Sequence, residues 1–94
     1  MDSLRAEISL LPNSEGGRSG AIDLSGRYTP HLRVDGGEYL GVALRSDTAA
    51  TLDPGESGLV TLDLLYDIDY GALAPGARFE ILEGNRRIGA GVVL

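Results

Sequence analysis

Residues 79–94 read FEILEGNRRIGAGVVL, and the fold turns on how this stretch is understood. Phe79 and Ile81 alternate with Glu80 in the period of two that marks a half-buried strand. Gly84 and Asn85 can supply the positive φ angles of a two-residue hairpin turn. Ile88, Ala90 and Val92 then continue the apolar alternation on a return strand, with Gly89 and Gly91 on its opposite face. Glycine weakens a strand interior, so two at alternate positions imply strong coiling or close approach of another backbone.

The same period recurs along the chain. Leu4, Ala6, Ile8 and Leu10 form one alternating set, Leu40, Val42 and Leu44 another, and Val60, Leu62, Leu64 and Tyr66 a third, with His31 to Val34 as a shorter candidate. Turn residues separate them: Pro12 to Gly17, Asp35-Gly36-Gly37, Asp53-Pro54-Gly55 and Ala74-Pro75-Gly76. The one stretch with any helical character is Arg45 to Leu52, a short turn that Thr48 and Thr51 disfavour. Ser14 to Ser25 is the longest irregular segment, the kind of loop on which binding surfaces sit. Six short strands joined by Gly/Pro turns predict an all-β barrel or sandwich, and closure into a barrel would remove exposed sheet edges.

Composition narrows the function classes. The 94 residues form one domain, with 43% hydrophobic and 23% charged residues, ordinary globular values. A net charge of −6 disfavours broad phosphate-backbone binding while leaving room for a local basic patch. All eight basic residues are Arg. The absence of Cys removes disulfides, thiolate chemistry and cysteine-type zinc sites. The opening MDSLRAEISLLP lacks the apolar run of a signal peptide, and no stretch reaches transmembrane length, so a soluble cytoplasmic protein without membrane contact is expected.

Catalytic constellations are not legible. A Ser-His-Asp triad would have to use His31, which lies between Pro30 and Leu32 in a predicted strand. Asp67-Ile68-Asp69 begins like a calcium loop, but its twelfth position is Arg78 where a bidentate acid is needed. No HExxH, phosphate loop or dinucleotide-binding turn occurs, so no metal, cofactor or nucleotide is expected and the chain reads as a non-enzyme. Two loops stand out instead. Glu15-Gly16-Gly17-Arg18 pairs adjacent glycines, able to turn N–H groups toward an anion, with a cation. Glu83-Gly84-Asn85-Arg86-Arg87 is a hairpin tip with two Arg.

Arg78 to Val93, RFEILEGNRRIGAGVV, resembles the end of the C-terminal domain of elongation factor Tu, which closes with a strand of the type RFAIREGGRTVGAGVV. The likeness continues, more thinly and in order: Ala6-Glu7-Ile8 through Glu15-Gly16-Gly17-Arg18 is similar to an AEV…EGGR opening, and Gly26 to Leu32 to a GYRPQF segment. Gly41 to Leu44 and Pro54-Gly55-Glu56 fall where that domain has TGTIEL and MPGD. The resemblance implies a six-stranded antiparallel closed β-barrel. It also implies a role in holding the T-stem of aminoacyl-tRNA, carried by Glu15, Gly16, Gly17 and Arg18 and by the tip residues Glu83 and Gly84, and the tip's own Arg86 joins them as a candidate binding residue. This chain departs from the pattern in several places. EGGRSGAI stands where the family has EGGRHTPF, Asn85 replaces the tip's second glycine, and Tyr66 to Ala77 is longer and more acidic. No GTPase domain lies within these residues.

The expected function is therefore a stand-alone, non-catalytic binding module that engages a protein partner linked to translation. The alternative is an RNA-binding module that contacts the tRNA T-stem; an enzyme of unrecognised type is a third reading and a decoy of the factor's barrel a fourth.

Overall fold

Eight strands and one 3-10 turn make up the chain in the computed structural model, which describes residues 2–94. They are β1 (Ser3–Leu10), the 3-10 turn (Asn13–Glu15), β2 (Ile22–Asp23), β3 (His31–Arg33), β4 (Leu40–Arg45), β5 (Thr51–Leu52), β6 (Ser57–Leu64), β7 (Arg78–Glu83) and β8 (Arg86–Val93). Six of them close into an antiparallel barrel in the order β1-β6-β4-β3-β7-β8, with β8 returning to β1. The predicted all-β class and six-stranded closed barrel are thus observed. β2 and β5 pair separately.

Alternation builds the barrel as the sequence implies. Ala6, Ile8 and Leu10 of β1, Val60 and Leu62 of β6, Leu40, Val42 and Leu44 of β4, Leu32 of β3, and Phe79 and Ile81 of β7 are all buried in one core. Each large aliphatic side chain removed from water contributes about 1.5–3 kcal/mol. Ile22, Leu24, Leu52 and Leu73, from outside the six barrel strands, join the same core. The exposed surface of 5318 Å² is what a compact 9.9 kDa monomer presents, about 5,200 Å². Among the described residues, no polar or charged side chain is buried.

Ser14 to Ser25 is less irregular than predicted. Ile22 and Asp23 form β2 against Leu52 and Thr51, and Leu24 exchanges backbone hydrogen bonds with Ala50 and Ser46. The residues from Arg45 to Leu52 form no helix. Ser46 Oγ accepts the N–H groups of Thr48 and Ala49, a hydroxyl-closed turn, and the segment ends in β5. Tyr66 does not continue the inward set of β6; the strand ends at Leu64 and the Tyr66 ring lies outside, over Gly41. At the hairpin tip only Gly84 takes a positive φ, 64°, the pattern of a II′ turn.

The largest correction concerns β8. The sequence pattern predicts Ile88, Ala90 and Val92 inside. The register pairs Ala6 with Val93, Ile8 with Gly91 and Leu10 with Gly89, and on the other side Phe79 with Gly91 and Ile81 with Gly89. Directly opposed residues share a face, so Gly89, Gly91 and Val93 point inward while Ala90 and Val92 point out. A bulge between Ile81 and Leu82 pairs Leu82 with Arg87 and leaves Ile88 as the extra residue, which stays fully buried. One inserted residue reverses the parity of everything after it.

This explains the glycines. A Cβ on Gly91 would sit 2.5 Å from Phe79 Cζ and 2.7 Å from the Glu7 carbonyl oxygen. A Cβ on Gly89 would sit 2.6 Å from the Ser9 carbonyl oxygen. The Phe79 ring covers the space over Gly91, so aromatic and glycine are complementary halves of one contact. Gly91→Ala should lower stability by about 1–3 kcal/mol through overpacking. Gly20→Ala, where an added methyl meets nothing within 4 Å, should be close to neutral. Thermal denaturation of both variants measures the difference.

Candidate functional site

The 3-10 turn brings the first loop back onto the barrel. Glu15 N–H and Gly17 N–H both donate to the Pro12 carbonyl, at 2.9 and 3.0 Å, and Gly16 N–H donates to Asn13 O at 3.2 Å. Gly16 takes φ 92°, and a Cβ on Gly17 would collide with the Leu11 carbonyl oxygen. The glycine N–H groups are thus engaged within the turn. The predicted anion cradle is inverted, because the two glycine carbonyls present themselves to a cation.

That cation is Arg86. Its Nη2 donates to Gly16 O at 3.0 Å and to Gly17 O at 2.6 Å, and its Nε reaches Gly16 O at 3.3 Å. Beside it, Arg18 Nε pairs with Glu83 Oε2 at 3.0 Å, and Arg18 Nη1 donates to Ala21 O at 2.9 Å. Tyr28 Oη donates to the same Glu83 oxygen at 2.5 Å, and the Arg18 guanidinium lies 5.3 Å from the Tyr28 ring centroid. Burial, then the hydrogen bond to Glu83, pushes the Tyr28 hydroxyl well above the ordinary tyrosine range.

Gly16, Gly17, Arg18, Glu83 and Arg86 therefore meet in one clasp between the first loop and the hairpin tip. Gly84 supplies the tip's positive φ, and Glu15 stands exposed on the turn beside it. Tyr28 was not legible from sequence: it is 55 residues from Glu83, and nothing in its neighbours singles it out.

A second feature lies on the outer wall of β3 and β4. His31 and Gly41 are directly paired and face outward, opposite in parity to the core residues Leu32 and Leu40. The His31 ring tilts against Tyr39 with centroids 5.7 Å apart, and Arg33 lies 5.6 Å from the Tyr39 ring centroid. The Tyr66 ring occupies the space over Gly41, where a Cβ would clash with Cε2. Tyr70 fixes this arrangement by donating to Gly41 O at 2.7 Å and accepting from Tyr66 N–H at 3.1 Å. Tyr39, Tyr66 and nearby Ile68 in sequence remain 40%, 58% and 46% exposed, high values for large apolar side chains. His31, the sole histidine, is thus a wall residue packed on an aromatic ring.

No protein-family model matches the chain. Among the described residues, no three acidic, His or Cys side chains gather where they could hold a metal ion, and no helix is long and apolar enough to cross a membrane.

Arg86→Ala should cost about 1 kcal/mol and speed amide exchange between Gly16 and Ala21. Arg86→Lys should recover only part of the loss, because a single ammonium cannot reproduce the fork over two carbonyls. The clasp should also weaken in alkali. The Tyr28 proton is held more tightly in the folded than in the unfolded chain, so its stabilisation is complete below the unfolded value of about 10 and declines above it. Melting curves between pH 8 and pH 11, about a range that brackets that value, should fall more steeply for the native chain than for Tyr28→Phe.

Proposed function

We propose that this chain is a non-catalytic binding module of the elongation factor Tu C-terminal-domain type, and that it engages a protein partner linked to translation through its outer wall. The supporting observation is the wall around Gly41, where Tyr39 and Tyr66 are fixed by neighbours yet remain open to solvent. Pre-set aromatic side chains with one polar end are enriched at protein interfaces, because they bury much area at little cost in side-chain freedom. The link to translation rests on the likeness of Arg78 to Val93 to that family's closing strand.

The T-stem-binding alternative draws on the gathering of Arg18 and Arg86 in one place. Both cations have protein partners there: Arg18 pairs with Glu83, and Arg86 binds the carbonyls of Gly16 and Gly17. A phosphate backbone would have to displace those contacts on a chain of net charge −6.

Two measurements separate these readings. Filter binding of aminoacyl-tRNA at low and moderate salt should show no retention. The barrel used as bait in nuclease-treated native lysate should retain a specific protein that the double variant Tyr39→Ser, Ile68→Ser does not. Retention of aminoacyl-tRNA on the filter, or equal retention of protein by both baits, would defeat the protein-partner proposal.

A further inference from the structure

The outer face of β8 is a trough. Its outward residues Ala90 and Val92 are short, and the inward Gly91 leaves Phe79 beneath the floor. Two contiguous grooves of about 390 Å³ and 350 Å³ run along it and share Arg78, Phe79 and Ala90. The register sets the walls. One row across the barrel runs Arg78, Val92, Glu7, Leu59, and the next runs Arg33, Glu80, Ala90, Ser9.

Charge is distributed unevenly across the trough. Three of the chain's eight arginines, Arg33, Arg78 and Arg87, line the β7 side. Glu80 there is shared between Arg33 at 3.2 Å and Arg87 at 3.9 Å, and Asp35 stands at the end of the groove. Among the described residues, Arg78 makes no ion pair and is exposed. The far wall carries Glu7. An apolar floor with an arginine-rich rim on one side fits an anionic group attached to an apolar chain.

We propose that this trough docks an extended acidic segment of a partner protein, with aliphatic side chains over Ala90 and Val92 and carboxylates toward Arg78 and Arg87. The proposal rests on the binding-module reading above and specifies the partner's chemistry. Arg78 lies opposite Val92 and Arg87 opposite Leu82, so the two arginines are four β7 residues apart, about 13 Å at roughly 3.3 Å per residue. An extended peptide spans the same distance between carboxylates about four residues apart, which lie on one face. A nucleic acid fits less well: its continuous phosphates would meet Glu80 and Glu7 within the trough, and its sugars gain little from Ala90 and Val92. The aliphatic floor and the separated arginines match discrete carboxylates alternating with apolar groups.

Fluorescence anisotropy with a short labelled peptide of alternating glutamate and valine tests this directly. The native chain should bind it and bind the lysine-valine counterpart at least about tenfold more weakly, with affinity falling as salt screens the exposed rim. Arg78→Glu should weaken binding by about tenfold or more. Ala90→Tyr, which fills the floor without changing charge, should do the same, and circular dichroism of both outward-facing variants should match the native chain. Equal binding of the two peptides, native-like binding by Arg78→Glu and Ala90→Tyr, or displacement of the peptide by polyuridylate would overturn the proposal. Arg78→Glu also enters the lysate experiment as a third bait. If it keeps the protein that Tyr39→Ser, Ile68→Ser loses, the trough proposal falls and the binding-module reading stands; if no bait retains a protein, that reading falls as well.

Discussion

The seam between β8 and β1 closes because two positions on β8 carry no side chain. At Gly89 and Gly91 the space a Cβ would take is filled by the carbonyls of Ser9 and Glu7 and by the Phe79 ring. A closed barrel of six strands has a narrow interior, and its walls must coil strongly to meet. The inward positions of β1, β4 and β6 present mainly Leu, Ile, Val or Ala to the core, so the seam is where volume has to be surrendered. Phe79 occupies that volume, and Ile88, extruded from the ladder by the bulge, remains fully buried.

The same seam shapes the outside. Once the bulge has reversed the parity of β8, the residues left facing solvent are Ala90 and Val92, and the strand becomes the low line of the barrel's outer surface. Arg78 and Glu80 on β7 and Glu7 on β1 rise on either side. A second glycine-aromatic pair, Gly41 under Tyr66, does the opposite on the wall of β4, lifting an aromatic ring onto the surface where Tyr70 holds it. Between them Arg33 contacts both Tyr39 and Glu80, so the aromatic wall and the trough form one continuous face.

The two loops that stand out in the sequence do meet, but to hold the molecule together. Arg86 closes the first loop by binding its carbonyls, and Glu83 gathers Arg18 and Tyr28. Interactions of this kind, at partly exposed sites, are worth about 1 kcal/mol each, modest in energy but specific in geometry. They fix the loop's path across the barrel. A loop rich in Gly and Arg is therefore ambiguous when read alone: the same residues serve an external anion or an internal carbonyl, and only the direction of the backbone groups distinguishes the two.

Period-two alternation in Leu4 to Leu10, Leu40 to Leu44 and Val60 to Leu64 was enough to determine the strands, their inward faces and the all-β class, because side-chain direction in a strand depends only on parity. Gly and Pro marked the turns for an equally local reason. What parity could not reveal was the bulge at Ile88, since an extra residue is defined by the partner strand and not by its own neighbours. For the same reason the sequence placed Ala90 and Val92 inside and missed the trough. Ile22-Asp23 escaped notice because a two-residue strand has no period to detect. Of the candidate site, Gly16, Gly17, Arg18, Glu83 and Arg86 could be named from local composition, whereas Tyr28 and the inward-facing glycine carbonyls could not. Those depend on contacts between residues far apart in the chain, and such contacts exist only once the barrel has closed.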